Sequence, residues 1–279
     1  MIRKPQGERQ ELPGKTTDQE ARKEEGGKLR LPSSKIYQLI AKEGRDEFER
    51  PFQSLAASGL VAGLCISFSL FCEGFFKLHA PEGADFYLVE NLGYTVGFLI
   101  VVLGRFQLFT ENTITVILPL LEEPSRNHLV RIARLWSVVL AFNLVGTFLV
   151  AVMVSHLPLF SPEQIEPFME VSRHAVDRPL GDVFFQAMPA GFLIAAMVWM
   201  MPTAEHSKVL VIAAMTYLIA IGDFAHVIAG SVEAFLLMLH GDIGLGHGLG
   251  YLILSAAGNI IGGTGVFAMM AYAQVREEM

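Results

Sequence analysis

Charge is scarce in this chain. Of 279 residues, 18% are Asp, Glu, Lys or Arg and 52% are hydrophobic, whereas ordinary soluble domains carry about 25% charged residues. The shortage argues against a water-soluble globule. Cysteine is scarce too: Cys65 and Cys72 lie seven apart in one apolar segment. On a helix that is two turns, too far for a disulfide, so they read as buried packing thiols. A pI near 5.6 leaves no basic surface to neutralise phosphates, which argues against a nucleic-acid partner. No HExxH string, GxSxG elbow or phosphate loop occurs, so neither a hydrolase nor an ATP-driven pump has its chemistry here. Nothing calls for a cofactor. His240, Asp242 and His247 share a Gly-rich stretch that reads as a turn rather than a metal site. The first 30 residues lack an apolar core of the signal-peptide kind, leaving membrane insertion to the first spanning helix.

What charge there is sits at one end. Residues 1–50 hold 12 basic and 10 acidic residues, and the remaining 229 hold 9 basic and 18 acidic. A charged cytoplasmic tail over 1–50 thus precedes a membrane domain over 51–275, with 276–279 a short cytoplasmic end. Residues 1–34, rich in Lys, Glu, Gly, Pro and Gln, read as disordered. Residues 35–50 could form a surface helix, although a solvated arm is the plainer expectation.

Spanning helices need about 20 mostly apolar residues. Four segments qualify cleanly: roughly 52–76, 130–155, 181–201 and 247–273. Two more are long but broken: 87–121, interrupted from Gly104 to Asn112, and 208–239, interrupted from Gly222 to His226. The predicted fold is an all-α integral membrane protein with six transmembrane helices, the second and fifth discontinuous. An even count puts both termini on one side. That side carries the tail, Arg126, Arg131, Arg134, Lys208 and Arg276, while the other carries Lys77, Arg173 and Arg178. The positive-inside rule makes the first side cytoplasmic.

The two broken spans are the middle members of two triplets. Thr110 is followed 33 residues later by Asn143, and His226 by Asn259 at the same distance. The strings Asn143-Leu144-Val145-Gly146 and Asn259-Ile260-Ile261-Gly262 match, so an offset of 116 pairs Thr110 with His226 and Gly146 with Gly262. Three helices per repeat force the halves into opposite orientations, and such inverted repeats bring two broken helices together near the midplane.

A broken helix in hydrocarbon survives only where protein or a water-filled cavity satisfies its freed backbone groups. The breaks should therefore line a path. The first offers Leu108, Phe109 and Thr110, and the second offers Asp223, Phe224 and His226. An imidazole at membrane depth is a functional hypothesis by default, against a structural reading in which it ties helices together. Thr110 could equally back-bond within its own helix. Asp223 could orient His226, face water at a mouth or cap the next helix; capping is favoured. Asn143 and Asn259 are expected to satisfy backbone groups in the breaks, and Arg105 and Glu111 could form an internal ion pair.

These residues resemble the formate/nitrite transporter family. Leu108-Phe109-Thr110-Glu111-Asn112 is similar to that family's LFTxN loop and Gly222-Asp223-Phe224-Ala225-His226 to its G-F-E-H segment. The Asn143 and Asn259 strings look like its third- and sixth-span signatures. The likeness covers about residues 50–275. It implies an aquaporin-like protomer, a homopentamer with one pore per protomer in a bacterial inner membrane, and passage of small monovalent anions or their acids. It also implies His226 as central pore histidine, Thr110 as its partner, and Leu108 and Phe109 as an apolar constriction. Ala225, Gly230 and Gly191 stand where the family has Glu, Asn and Asn, and no lysine lies between Lys77 and Lys208. Arg173 or Arg178 could take the place of the family's vestibule lysine. These departures resemble a divergent subgroup.

The expected mechanism is protonation of an anion near Thr110 and His226, then crossing as a neutral acid. Nine acids face three basic residues in the outer segments, a balance that repels anions. That balance keeps a neutral small-solute channel open as an alternative, and a membrane scaffold with a vestigial pore is another.

Overall fold

Apolar residues without interruption have no strand-like alternation to follow, and here they build helices. The computed structural model describes residues 31–81 and 85–278, and all regular structure among them is helical. The expected disorder of residues 1–34 falls almost wholly outside the described residues. Helix α1 is Ser33–Phe48. Helices α2 (Phe52–Ile66) and α3 (Phe68–Leu78) form one apolar rod, with buried Ser67 at the joint bonding the Gly63 carbonyl at 3.0 Å. Short α4 (Tyr87–Glu90) leads to α5 (Tyr94–Leu103), and after the first break come α6 (Asn112–Thr115) and α7 (Leu118–Glu122). Then follow α8 (Arg126–His156), α9 (Pro162–Val176), α10 (Leu180–Met200) and α11 (Lys208–Ile221). After the second break come α12 (Ala229–His240) and α13 (Leu245–Ile260), which runs through a π-helical stretch, Ile261–Ala268, into α14 (Met269–Val275).

Four rods are long and apolar enough to cross a membrane: Phe52–Leu78, Arg126–His156, Leu180–Thr203 and Leu245–Val275. At 1.5 Å per residue the 27-residue first rod reaches about 40 Å, more than a ~30 Å hydrocarbon core. The shorter apolar helices lie between them, at the two predicted interruptions. The long rods pack in pairs, α2 on α8 and α10 on α13 with its π-helical continuation. Glycine permits the approach. A Cβ on Gly63 would collide with the Asn143 carbonyl, and one on Gly191 with the Asn259 carbonyl.

Helix α1 is not a solvated arm. Ile36, Tyr37, Ile40, Ala41 and Phe48 fall on one face and are buried. The Tyr37 hydroxyl donates to the Leu118 carbonyl at 2.8 Å, and Arg45 pairs with Glu122 at 2.5 Å. The compact unit accordingly includes α1. Cys65 and Cys72 are free and half-buried, not fully packed away.

Candidate functional site

Both breaks begin with the same backbone device. At the end of α5, Phe106 N–H donates to the Val101 carbonyl at 3.0 Å and Arg105 N–H to the Val102 carbonyl at 3.2 Å. At the end of α11, Phe224 donates to Ile219 at 3.0 Å and Asp223 to Ala220 at 3.0 Å. This is the Schellman pairing, which needs a left-handed residue after the helix and usually takes glycine. Arg105 (φ 54°) and Asp223 (φ 51°) occupy it instead, and among the described residues they are the non-glycine residues with positive φ.

Beyond the caps the chain leaves the helix, and one asparagine holds each stretch. Asn143 Oδ1 accepts the Phe109 N–H at 2.9 Å, while its Nδ2 donates to the Gln107 and Gly59 carbonyls at 2.8 Å each. Asn259 Oδ1 accepts the Val227 N–H at 2.9 Å, and its Nδ2 donates to the Ala225 and Ala187 carbonyls at 2.9 and 2.8 Å. An asparagine side chain is both donor and acceptor, so it can stand in for a missing helical turn. The bonds also correct the register. Arg105 matches Asp223, and Gln107 and Phe109 match Ala225 and Val227, an offset of 118. Leu108 is therefore the counterpart of His226, and Thr110 that of Ile228. The offset of 116 holds only for the asparagines, because the chain from break to asparagine is two residues shorter in the second half.

The breaks nonetheless meet through Thr110 and His226. Thr110 Oγ1 lies 2.8 Å from His226 Nε2, with both residues 1% exposed or less. His226 Nδ1 accepts the Ala229 N–H at 3.2 Å. That bond leaves the ring proton on Nε2, so the imidazole donates to the threonine oxygen. The Phe98 ring stands edge-on to the imidazole with centroids 5.0 Å apart.

Two cavities adjoin the breaks, and His226 lines the first of them. One, of about 350 Å³, is lined by Phe224, Ala225, His226, Glu73, Tyr94, Glu233 and Tyr251, and reaches Asp85, Glu90, Glu170 and Arg178. The other, of about 620 Å³, is lined by Gln107, Leu108, Glu111, Asn112 and Thr115, with Glu43, Glu47, Arg50, Arg105 and Lys208. The first lies at the start of α5 and the end of α11, the second at the end of α5 and the start of α11. In the second cavity burial raises the Glu47 carboxyl above its usual range, partly offset by Arg50.

Each residue singled out from the sequence has a definite place. Phe224 lines the His226 cavity and Leu108 the other. Phe109 lines neither: its ring packs on Trp136 at 5.9 Å. Asp223 does not cap α12, whose first N–H is bonded by His226 Nδ1 instead, and it makes no hydrogen bond to His226. Its Oδ1 accepts from His174 Nε2 at 2.7 Å and the Tyr87 hydroxyl at 3.1 Å, at the mouth of the cavity. Arg105 pairs with Glu43 at 2.6 Å, not with Glu111. Arg178 reaches the His226 cavity, whereas Arg173 is held by Glu166 and Asp242. His247 bonds the Val176 carbonyl at 3.1 Å and His240 that of Leu236 at 3.0 Å, each at a separate place. Phe98, Glu73 and Glu233 were missed. The two glutamates had a signal, as carboxylates inside apolar helices. Phe98 had none.

A family model described as formate/nitrite transporter matches residues 34–273. This chain belongs to the formate/nitrite transporter family. It is a membrane transporter, not an enzyme. It is 39% identical over 265 residues to the inner membrane protein YfdC of Escherichia coli K12, covering 92% of this chain and 86% of that one. The uncharacterized transporter YrhG of Bacillus subtilis is 27% identical, covering 85% and 90%. Among solved structures, one described as an FNT family ion channel superposes with TM-score 0.72 at 18% identity, covering 87% of this chain and 98% of its own. A pentameric formate channel with formate bound gives 0.66 at 20% identity, covering 85% and 98%. Within this family fold, the chain's departures are packed positions. The Ala225 carbonyl is bonded by Asn259, and a Cβ on Gly230 would strike the Tyr251 hydroxyl.

Proposed function

We propose that the protein passes small monovalent anions such as formate or nitrite across the membrane as their neutral acids, by the path between the two cavities. The carrying observation is the bonded Thr110–His226 pair, with His226 on the wall of one cavity, Leu108 on that of the other, and Phe98 packed on the imidazole. A bare carboxylate-sized ion entering such a dry gap loses on the order of 20 kcal/mol of hydration in the idealised limit, and protonation avoids most of that. Leu108, Phe98 and Phe224 form the apolar part of the path. Asn143 and Asn259 hold the breaks open, and Asp223 serves the mouth.

In this reading six spans form two inverted triplets, with α5–α7 and α11–α12 as the broken middle members. The matched caps and asparagines support it. Both termini lie in the cytoplasm of a bacterial inner membrane, with the cavity beside α1 facing inward, as the basic residues Arg126, Arg131 and Arg134 favour. Five copies assemble with one path each. The pentameric neighbour supports this, as do the exposed apolar side chains Leu210, Phe185, Ile253 and Met270, which suit lipid or a neighbouring protomer. One feature favours a neutral solute as the second reading: six carboxylates against Lys77 and Arg178 around the His226 cavity.

The test is pH-dye flux in proteoliposomes under an inward proton gradient, offering formate, nitrite, acetate, lactate and hydrosulfide. Substrate-dependent proton uptake above protein-free vesicles, lost in His226→Ala, is the expected result. Wild-type uptake no faster than empty vesicles, with insertion verified, overturns the reading.

A further inference from the structure

The mechanism above leaves its proton without a source. His226 is poorly placed to supply it, because Nδ1 accepts a backbone N–H and Nε2–H is already given to Thr110. The same cavity holds two carboxylates that no role so far has used. Glu73 on α3 is 5% exposed and Glu233 on α12 is 4% exposed. Both line the cavity whose wall includes His226, and Glu73 Oε2 has no hydrogen-bond partner.

The basic groups around them are committed elsewhere. Lys77 pairs with Glu90 at 3.5 Å and Glu170 at 3.4 Å. Arg178 donates to the Asp223 and His174 carbonyls and to Gln186, and His174 itself pairs with Asp223. Among the described residues, neither Glu73 nor Glu233 forms a direct ion pair, although Arg178 lines the same cavity. The cavity's buried wall also carries the phenols of Tyr94 and Tyr251, the Asn91 amide and His226. Two carboxylates on one cavity wall, neither in an ion pair, favour sharing of charge and proton over simultaneous ionisation, because like charges repel.

We propose that Glu73 and Glu233 form a proton-transfer site, handing a proton to the entering anion before it reaches Thr110 and His226. This rests on the weak-acid reading. The O–H bond of the protonated glutamate breaks as an O–H bond forms on the anion, leaving a glutamate carboxylate and a neutral acid. Water in the cavity reloads the carboxylate from the exposed side, where Asp85 and Glu170 lie. The arrangement also gives a reason for an acidic vestibule in a protein that takes anions: the acids keep protons there.

Two measurements on the full-length protein test it. The first is the pH-dye assay on Glu73→Gln, Glu233→Gln and the double variant, with Glu233→Asp as the conservative control. The double variant is expected to lose about tenfold or more of substrate-driven proton uptake and its pH dependence, with Glu233→Asp recovering part. The second is infrared spectroscopy of the wild type at neutral pH, which should show a protonated carboxyl band that either glutamine variant removes. Wild-type flux with an unchanged rate and pH profile in the double variant overturns the site while leaving the transport reading intact. Absence of the protonated carboxyl band in wild type overturns it whether or not any variant folds. No weak-acid flux in wild type, with the band present, counts against the transport reading alone.

Discussion

The two helix breaks share a backbone and differ in what they carry. Each starts at a left-handed residue after a Schellman cap and is held by one asparagine through three bonds. At the matched position one presents Leu108 and the other His226. The cavities differ likewise: acids and bases balance beside Leu108, while acids dominate beside His226. A shared backbone arrangement thus supports two unlike side chains, one apolar and one that bonds a threonine. Backbone satisfaction is what the two breaks share, and side-chain chemistry is where they differ.

The strongest way to break this comparison is to remove an asparagine. Asn143→Leu and Asn259→Leu each strand one buried N–H and two carbonyls, so each is expected to cost ~3 kcal/mol or more. Thermal unfolding in detergent should show similar losses, and tolerance of one alone would mean the breaks are not equivalent. Next come Gly63→Ala and Gly191→Ala, where a methyl group meets a backbone carbonyl that cannot swing away. Each is expected to destabilise by ~2 kcal/mol in the same assay. Thr110→Val removes the acceptor of the His226 ring proton and should cost ~1 kcal/mol of stability. Its larger signature is flux, expected to fall about tenfold, since a single hydrogen bond to a reacting path is worth that order. The smallest effect separates the caps. Arg105→Gly should stabilise by ~0.5–1 kcal/mol by relieving positive φ, since the exposed ion pair with Glu43 that it gives up contributes little. Asp223→Gly should gain less, because it also gives up the bonds to Tyr87 and His174.

Much of this was legible in the residues. Runs of apolar sequence located the rods, and Gly104 and Gly222 located the interruptions. Asn143 and Asn259 were readable as backbone partners because a break in hydrocarbon demands them. The register between halves was not, since a two-residue difference in the chain between break and asparagine leaves no mark on the motifs. Nor could sequence tell that Phe109 turns to Trp136, because irregular backbone at a break has no periodicity to assign sides, or that Phe98 on α5 meets His226, more than a hundred residues away. Asp223 misled for a similar reason: its side chain is recruited by Tyr87 and His174, remote in sequence. Glu73 and Glu233 were visible as ionisable groups in apolar helices, but only the fold brings them to one cavity. Helix α1 was discounted because its neighbours in the tail are strongly charged, although its own apolar stripe was complete.

The most direct test of the central claim uses isotopically labelled formate and proteoliposomes in which pH gradient and membrane potential are set independently. Passage as a neutral acid predicts uptake that follows the pH gradient and ignores the potential. Uptake that follows the potential at zero pH gradient would contradict it, because a bare anion would then be crossing between Leu108 and His226.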